Sequence, residues 1–165
     1  MQIHTYSDNG FALTRSFEGL RLTAYQDCGG VWTIGYGHTG PEVRAGLTIT
    51  EAKAETLLRS DLAASETCVN RAVNVPIAQN QFDALVDFCF NCGRGNLLQS
   101  TLLRKVNIGD FTGAAAQFGL WDHAAGEVVE GLVRRRKAEA ELFRGAERPP
   151  INPTPSPHPS QNTSR

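Results

Sequence analysis

Residues 16–40 read SFEGLRLTAYQDCGGVWTIGYGHTG. From Leu22 to about His38, Thr, Tyr, Val, Trp and Ile alternate with small residues around Gly29-Gly30. That pattern predicts a β-hairpin, with Gly35 and Gly37 loosening its second strand. Upstream, a periodic segment begins near Ser7 or Asp8, either a good N-cap, and runs to Phe17-Glu18 with Phe11, Leu13 and Phe17 as apolar anchors. Gly19 is placed to stop it. Glu18 therefore stands where a helix gives way to a hairpin.

Downstream the chain reads as helical. Thr48 with Glu51 matches a capping box and predicts a helix to about Val73, with Leu58, Leu62 and Val69 on one face. After Pro76, Phe82, Leu85, Val86, Cys89 and Phe90 fall at i, i+3, i+4, i+7 and i+8, a helix closed by Gly93 and Gly95. Shorter helices are expected over Ser100–Val106 and Asp110–Phe118, then a turn at Ala125-Gly126. A last helix is expected from about Leu132 to Phe143, ending at Gly145. The expected fold class is α+β, a mostly helical domain with a small antiparallel sheet near its N-terminus. That domain covers 1–147, with a hairpin lobe at about 20–46 and a helical lobe at about 50–146. From Arg148 six prolines interleave with Ser, Thr and Asn. Residues 148–165 are therefore expected to be a disordered tail, unable to bury enough apolar surface to offset its ordering entropy.

With 165 residues, 41% of them hydrophobic and 20% charged, the chain can bury a real core. A formal net charge of −1 argues against nucleic acid and anionic membranes as partners. The N-terminus lacks an apolar signal region, and no run reaches the roughly 18 apolar residues of a membrane span. The expectation is a soluble cytoplasmic protein without stable membrane insertion. A substrate beyond the inner membrane would need some other agent to let the protein through. Of four cysteines, Cys89 and Cys92 form C-x-x-C, but no second ligand pair follows at metal spacing. Along with Cys28 and Cys68 they are assigned no metal, and no cofactor is expected.

Glu18 and Asp27 occupy contrasting settings. The partial negative charge at a helix C-terminus, with desolvation by Phe17 and Leu20, favours a protonated carboxyl at Glu18. Water and turn donors keep Asp27 ionised. One acid and one carboxylate is the division of labour of glycoside hydrolysis. Thr33 lies on the returning strand. A three-residue loop, Cys28-Gly29-Gly30, pairs Asp27 with Val31 and makes Asp27 and Thr33 diagonal same-face neighbours, roughly 5–8 Å apart. A two-residue loop puts them on opposite faces. Gly30, free to adopt a left-handed conformation, favours the first.

Around these residues the sequence resembles the phage-type lysozyme (endolysin) family, glycoside hydrolase family 24. The resemblance rests on Glu18-Gly19, Ala24-Tyr25, Asp27, Gly30 and the run Thr33-Ile34-Gly35-Tyr36-Gly37-His38. It continues through Phe82-Asp83-Ala84-Leu85, Phe90-Asn91-x-Gly93 and Gly131-Leu132…Arg134-Arg135-Arg136…Glu139…Leu142-Phe143. It covers about residues 8–146 and implies a lysozyme-like fold.

The resemblance implies an N-acetylmuramidase that hydrolyses the β-1,4 bond from N-acetylmuramic acid to N-acetylglucosamine in peptidoglycan. Glu18 would donate the proton, with Asp27 and Thr33 positioning the attacking water and the anomeric centre inverting. Helix-end physics and separation do not themselves choose inversion over retention. Arg135 is implied as the partner holding Glu18; by its charge pattern alone the basic run Arg134–Lys137 reads as a solvated helix face, whose remaining cations could attract the anionic cell wall. His38 is implied to pair with Asp61, tying sheet to helix, and Asn91 and Gly37 to contact the glycan. Trp121 reads as core rather than a sugar platform. The chain is expected to act as a monomeric endolysin for phage-induced host lysis. It would wait in the host cytoplasm and reach periplasmic peptidoglycan through a holin-type lesion. A silent glycan-binding or scaffolding copy, or a lytic transglycosylase needing only the acid, are the alternatives. Retention of Asp27 and Thr33 speaks for hydrolysis with water.

Overall fold

The protein is described by a computed structural model over residues 3–145. The expected domain end at 147 and the Pro-rich segment 148–165 lie outside the described residues. Helix α1 spans Asp8–Phe17, and the Ser7 hydroxyl caps it by accepting the Gly10 N–H at 3.3 Å. Its end differs from expectation. Glu18, not Gly19, is the cap residue, and it is extended at φ −88°, ψ 130°. A left-handed glycine would turn the chain back, whereas here the chain must run straight on into a strand.

Strands β1 (Arg21–Gln26), β2 (Trp32–Gly35) and β3 (His38–Thr39) form an antiparallel sheet in that order. Tyr25 lies opposite Thr33 and Gln26 opposite Trp32. The turn continues this register. Asp27 N–H donates to the Val31 carbonyl at 3.0 Å, and Gly30 N–H donates to the Asp27 carbonyl at 2.9 Å. Gly30 has φ +78°, the value that closes a three-residue loop. Gly35 and Gly37 do more than loosen β2. Both sit at positive φ and reverse the chain into β3, a strand the alternation did not reveal because it is only two residues long. Gly35 also lets the helix that carries Ala54 approach, since a Cβ at Gly35 would lie 3.3 Å from that of Ala54.

The other edge of β1 is occupied by residues 47–49, through Ala24 N–H to Leu47 O and Ile49 N–H to Leu22 O. Thr48 is therefore drawn into a β-bridge with Thr23 and cannot cap α2 (Glu51–Ala72). Thr50 caps it instead, accepting from Lys53 N–H at 3.2 Å. Leu58, Leu62 and Val69 are buried as expected.

Helix α3 (Gln79–Cys92) is the centre of the domain, packed against α1, α2, α4 (Arg94–Gln99) and α7 (Glu130–Arg144). Phe82, Ala84, Leu85, Val86, Phe88 and Cys89 on it are all essentially inaccessible. Each large apolar side chain so buried contributes about 1.5–3 kcal/mol. Gly93 (φ +91°) ends α3, but Gly95 lies inside α4 (Arg94–Gln99), a helix too short for a sequence period to show. Ser100 caps α5 (Thr101–Asn107) and Asp110 caps α6 (Phe111–Gln117). A 3-10 turn, Phe118–Leu120, follows.

Ala125 and Gly126, at φ +52° and +86°, make the tight turn between β4 (His123–Ala124) and β5 (Glu127–Val128). Helix α7 runs Glu130–Arg144 and ends on left-handed Gly145, two residues longer at its start than the sequence implied. Phe88 meets Phe118 and Trp121 edge-on, with centroids at 5.7 and 5.3 Å, which places Trp121 against the core.

Candidate active site

Helices α3 and α7 converge on the end of α1. Glu18 Oε1 accepts from Arg135 Nη1 of α7 at 2.7 Å. The same guanidinium grips Asp87 of α3 with two bonds, Nε to Oδ2 and Nη2 to Oδ1, both 2.9 Å. Thr14 of α1 donates its hydroxyl to Asp87 Oδ1 at 2.6 Å. The Tyr6 hydroxyl lies 2.7 Å from Thr14 Oγ1 and donates to the Gly10 carbonyl at 2.8 Å. Asp87 is wholly buried and Arg135 nearly so, whereas the Glu18 side chain keeps about a quarter of its exposure. The cluster is thus anchored inside and opens at Glu18.

Charge explains why it holds. Burial alone would raise the carboxyl pKa of Asp87, but Arg135 outweighs this and holds it below the usual range. Burial works against the Arg135 cation too, and Asp87 and Glu18 hold it firmly charged. Glu139 lies one turn along α7, fully buried. Arg136 Nη2 stands 2.8 Å from its Oε1, yet neither carboxyl oxygen makes a well-aligned hydrogen bond. Burial first, then the negative charge of Asp87, push its pKa well above the carboxylate range. Three carboxyls, those of Glu18, Asp87 and Glu139, thus meet two guanidiniums, those of Arg135 and Arg136. Arg136, expected on a solvated face, is instead buried, bonded to Asn91 Oδ1 at 2.6 Å and to Cys92 Sγ at 2.7 Å. A basic run is solvated only where nothing acidic packs beneath it, and here Asp87 and Glu139 do.

On the hairpin, Asp27 Oδ1 accepts from Gly29 and Val31 N–H, each at 2.9 Å, and the residue is exposed. Thr33 is buried, and its hydroxyl donates to the Val31 carbonyl at 3.1 Å. The three-residue loop puts Asp27 and Thr33 diagonally on one face of the sheet. His38 Nδ1 lies 2.9 Å from Asp61 of α2, joining sheet to helix, and its Nε2 lies 2.8 Å from Glu42. Gly37 is exposed in the turn between β2 and β3, at φ +92°. Asn91 is exposed near the end of α3 with its carbonyl oxygen committed to Arg136, so its amide N–H groups face outward.

Sequence reasoning missed Asp87, Tyr6 and Thr14. The signal was present: Asp83 and Asp87 stand one turn apart in α3, whose other buried positions are all apolar, and both are buried. Asp83 accepts from Ser7 N–H at 3.1 Å, so the two aspartates dock α1 along α3.

Among the described residues, no group of His, Cys, Asp and Glu has the arrangement of a metal site. Burial lifts the Cys89 thiol to about 12, which makes it inert, and Cys28 is exposed beside Asp27. A cavity of about 430 Å³ lined by His4, Asn70, Asn74 and Phe82 holds no carboxylate and no part of this cluster.

A mostly helical domain with a small antiparallel sheet is a lysozyme-like fold, and the relatives below make the chain a glycoside hydrolase of lysozyme type. The phage lysozyme family matches residues 15–139, and the chain belongs to that family. It is 43% identical over 144 residues to the endolysin of Acyrthosiphon pisum secondary endosymbiont phage 1, covering 85% of this chain and 98% of that one. A crystal structure of a P22 lysozyme mutant superimposes with a TM-score of 0.78 at 40% identity, covering 87% of this chain and 99% of the other. The muramidase domain of SpmX from Asticaccaulis excentricus gives 0.79 at 46% identity, covering 85% and 97%. The expected family and lysozyme-like fold are borne out.

Proposed function

We propose that this protein is an endolysin that hydrolyses the β-1,4 bond between N-acetylmuramic acid and N-acetylglucosamine in bacterial peptidoglycan. One observation carries the residue roles: Arg135 holds a single oxygen of Glu18, while the hairpin register sets Asp27 and Thr33 on one face. Glu18 Oε2 accepts no protein hydrogen bond among the described residues, and that is the oxygen to carry the proton to the glycosidic oxygen. Thr33 has its own proton committed to Val31, so it accepts from water; Asp27 Oδ2 accepts the second water proton. Both protons of the water are then occupied and its lone pair is left to attack the anomeric carbon, with inversion. Asn91 N–H and the turn at Gly37 supply contacts to the sugars.

Among the described residues no helix is long and apolar enough to cross a membrane. The protein acts as a monomer, gathers in the host cytoplasm, and reaches the wall when a holin-type lesion opens the inner membrane. The test is digestion of purified peptidoglycan by wild type and Glu18→Gln, with products read by mass spectrometry. Reducing muropeptides from wild type alone are expected. Anhydromuramic ends would show a lytic transglycosylase instead, and an absence of products would show a glycan-binding module.

A further inference from the structure

We propose that Asp87 is a positioning residue for the acid, setting through Arg135 both the place of Glu18 and its readiness to carry a proton. This rests on the reading of Glu18 as the general acid. A lone arginine against a carboxyl does two opposite things: it fixes the group in space and favours its ionised form. An acid catalyst needs the first effect without the second.

The geometry separates them. Arg135 spends Nε and Nη2 on a bidentate bond to Asp87 and only Nη1 on Glu18. Most of its charge is therefore met by Asp87, and Glu18 receives a directional bond from a cation already neutralised. Asp87 is itself held from α1, whose C-cap residue is Glu18, by the Thr14 hydroxyl. The Tyr6 hydroxyl closes the chain of contacts on Thr14. α1, α3 and α7 are pinned at one point, and the acid is the first residue beyond it.

The charged and titratable groups around Glu18 define what the perturbation does. Arg135, Arg136 and Glu139 come from α7, Asp87 and Cys92 from α3, and Tyr6 from the segment before α1. Asp27, on the hairpin turn, is exposed to solvent. Replacing Asp87 by Asn keeps the shape and leaves Arg135 without its main counter-charge, so that charge falls on Glu18. The ionised form gains, and the alkaline limb of activity moves to lower pH.

The test compares kcat, KM and the pH–rate profile on solubilised peptidoglycan strands for wild type, Asp87→Asn, Thr14→Val and Glu18→Gln, after thermal melts establish folding. For Asp87→Asn we expect about a tenfold loss of kcat at pH 7, KM within about twofold, an alkaline limb about one pH unit lower, and kcat recovering towards wild type in acid. Thr14→Val keeps the charge and loosens the geometry, so kcat falls about two- to fivefold with the limb in place. A profile unmoved by Asp87→Asn, or a loss equal at every pH, overturns the proposal. If Asp87→Asn does not fold, Thr14→Val decides, and an unchanged kcat there overturns it. Glu18→Gln separates the two readings. If it stays active, the role of Glu18 itself fails; if it is dead while Asp87→Asn is normal, only this proposal fails.

Discussion

Replacing Arg135 by methionine tests the buried cluster as a source of stability. The substitution keeps much of the side-chain length and removes the cation. Asp87, with no exposed surface, loses both guanidinium bonds and keeps only the Thr14 hydroxyl among its described side-chain partners. Breaking one partner from a buried ion pair costs about 3–5 kcal/mol, because the remaining charge is stranded. At about 2–4 °C per kcal/mol for a domain of this size, Tm should drop by roughly 6–20 °C at pH 7. The pH dependence then distinguishes a stranded charge from a mere packing defect. In wild type the Asp87 carboxyl is held below its unfolded value, so its contribution is present above that value and lost as pH falls through the folded one. In Arg135→Met the shift reverses: burial without a counter-charge raises the folded value, and protonation then relieves the cost. Melts from pH 7 down to pH 4 should show the gap between wild type and variant narrowing steadily. A gap below about 1 kcal/mol at pH 7, or one that does not change with pH, would refute the reasoning.

Two further outcomes follow from the same structure. His38 is pulled down by burial but raised overall by Glu42 and Asp61, so its contribution is fully present below its unfolded value and lost as pH rises through the folded one. His38→Asn should therefore lower Tm clearly at pH 5.5 and much less at pH 9, as read by circular dichroism. Phe88→Ala removes a wholly buried ring that touches Phe118 and Trp121 and lies beneath the Arg136 guanidinium. It should cost about 3–5 kcal/mol in urea unfolding, with a change in Trp121 fluorescence in the folded state.

What the sequence made legible follows the range of each interaction. The α1 cap at Ser7, the apolar face of α3 and the left-handed stop at Gly145 are local, and each was readable from residues within two turns. The Asp27–Val31 turn was readable because Gly30 narrows the choice of loop. Thr48 shows the opposite case. Its spacing to Glu51 is a good capping box, but its backbone pairs with Thr23, twenty-five positions away, and the β-bridge wins. Helix α4 and strands β3 to β5 are too short to hold a period, so nothing local could announce them.

The site divides in the same way. Family resemblance pointed to Glu18, Asp27, Thr33 and Arg135, but neither it nor residue chemistry could say what faces Arg135 from behind. Three arginines in a row look like a solvated face on α7 alone. Two aspartates one turn apart on α3 look like a defect in an apolar helix alone. Each anomaly explains the other once the helices meet: the buried guanidinium needs Asp87, and buried Asp87 needs the guanidinium. A buried charge is too costly to stand unpaired, so an acid inside an apolar period implies a cation elsewhere in the chain that is also inside. Arg135 and Arg136, adjacent basic residues with a buried glutamate at i+4 and i+3, are where that inference leads.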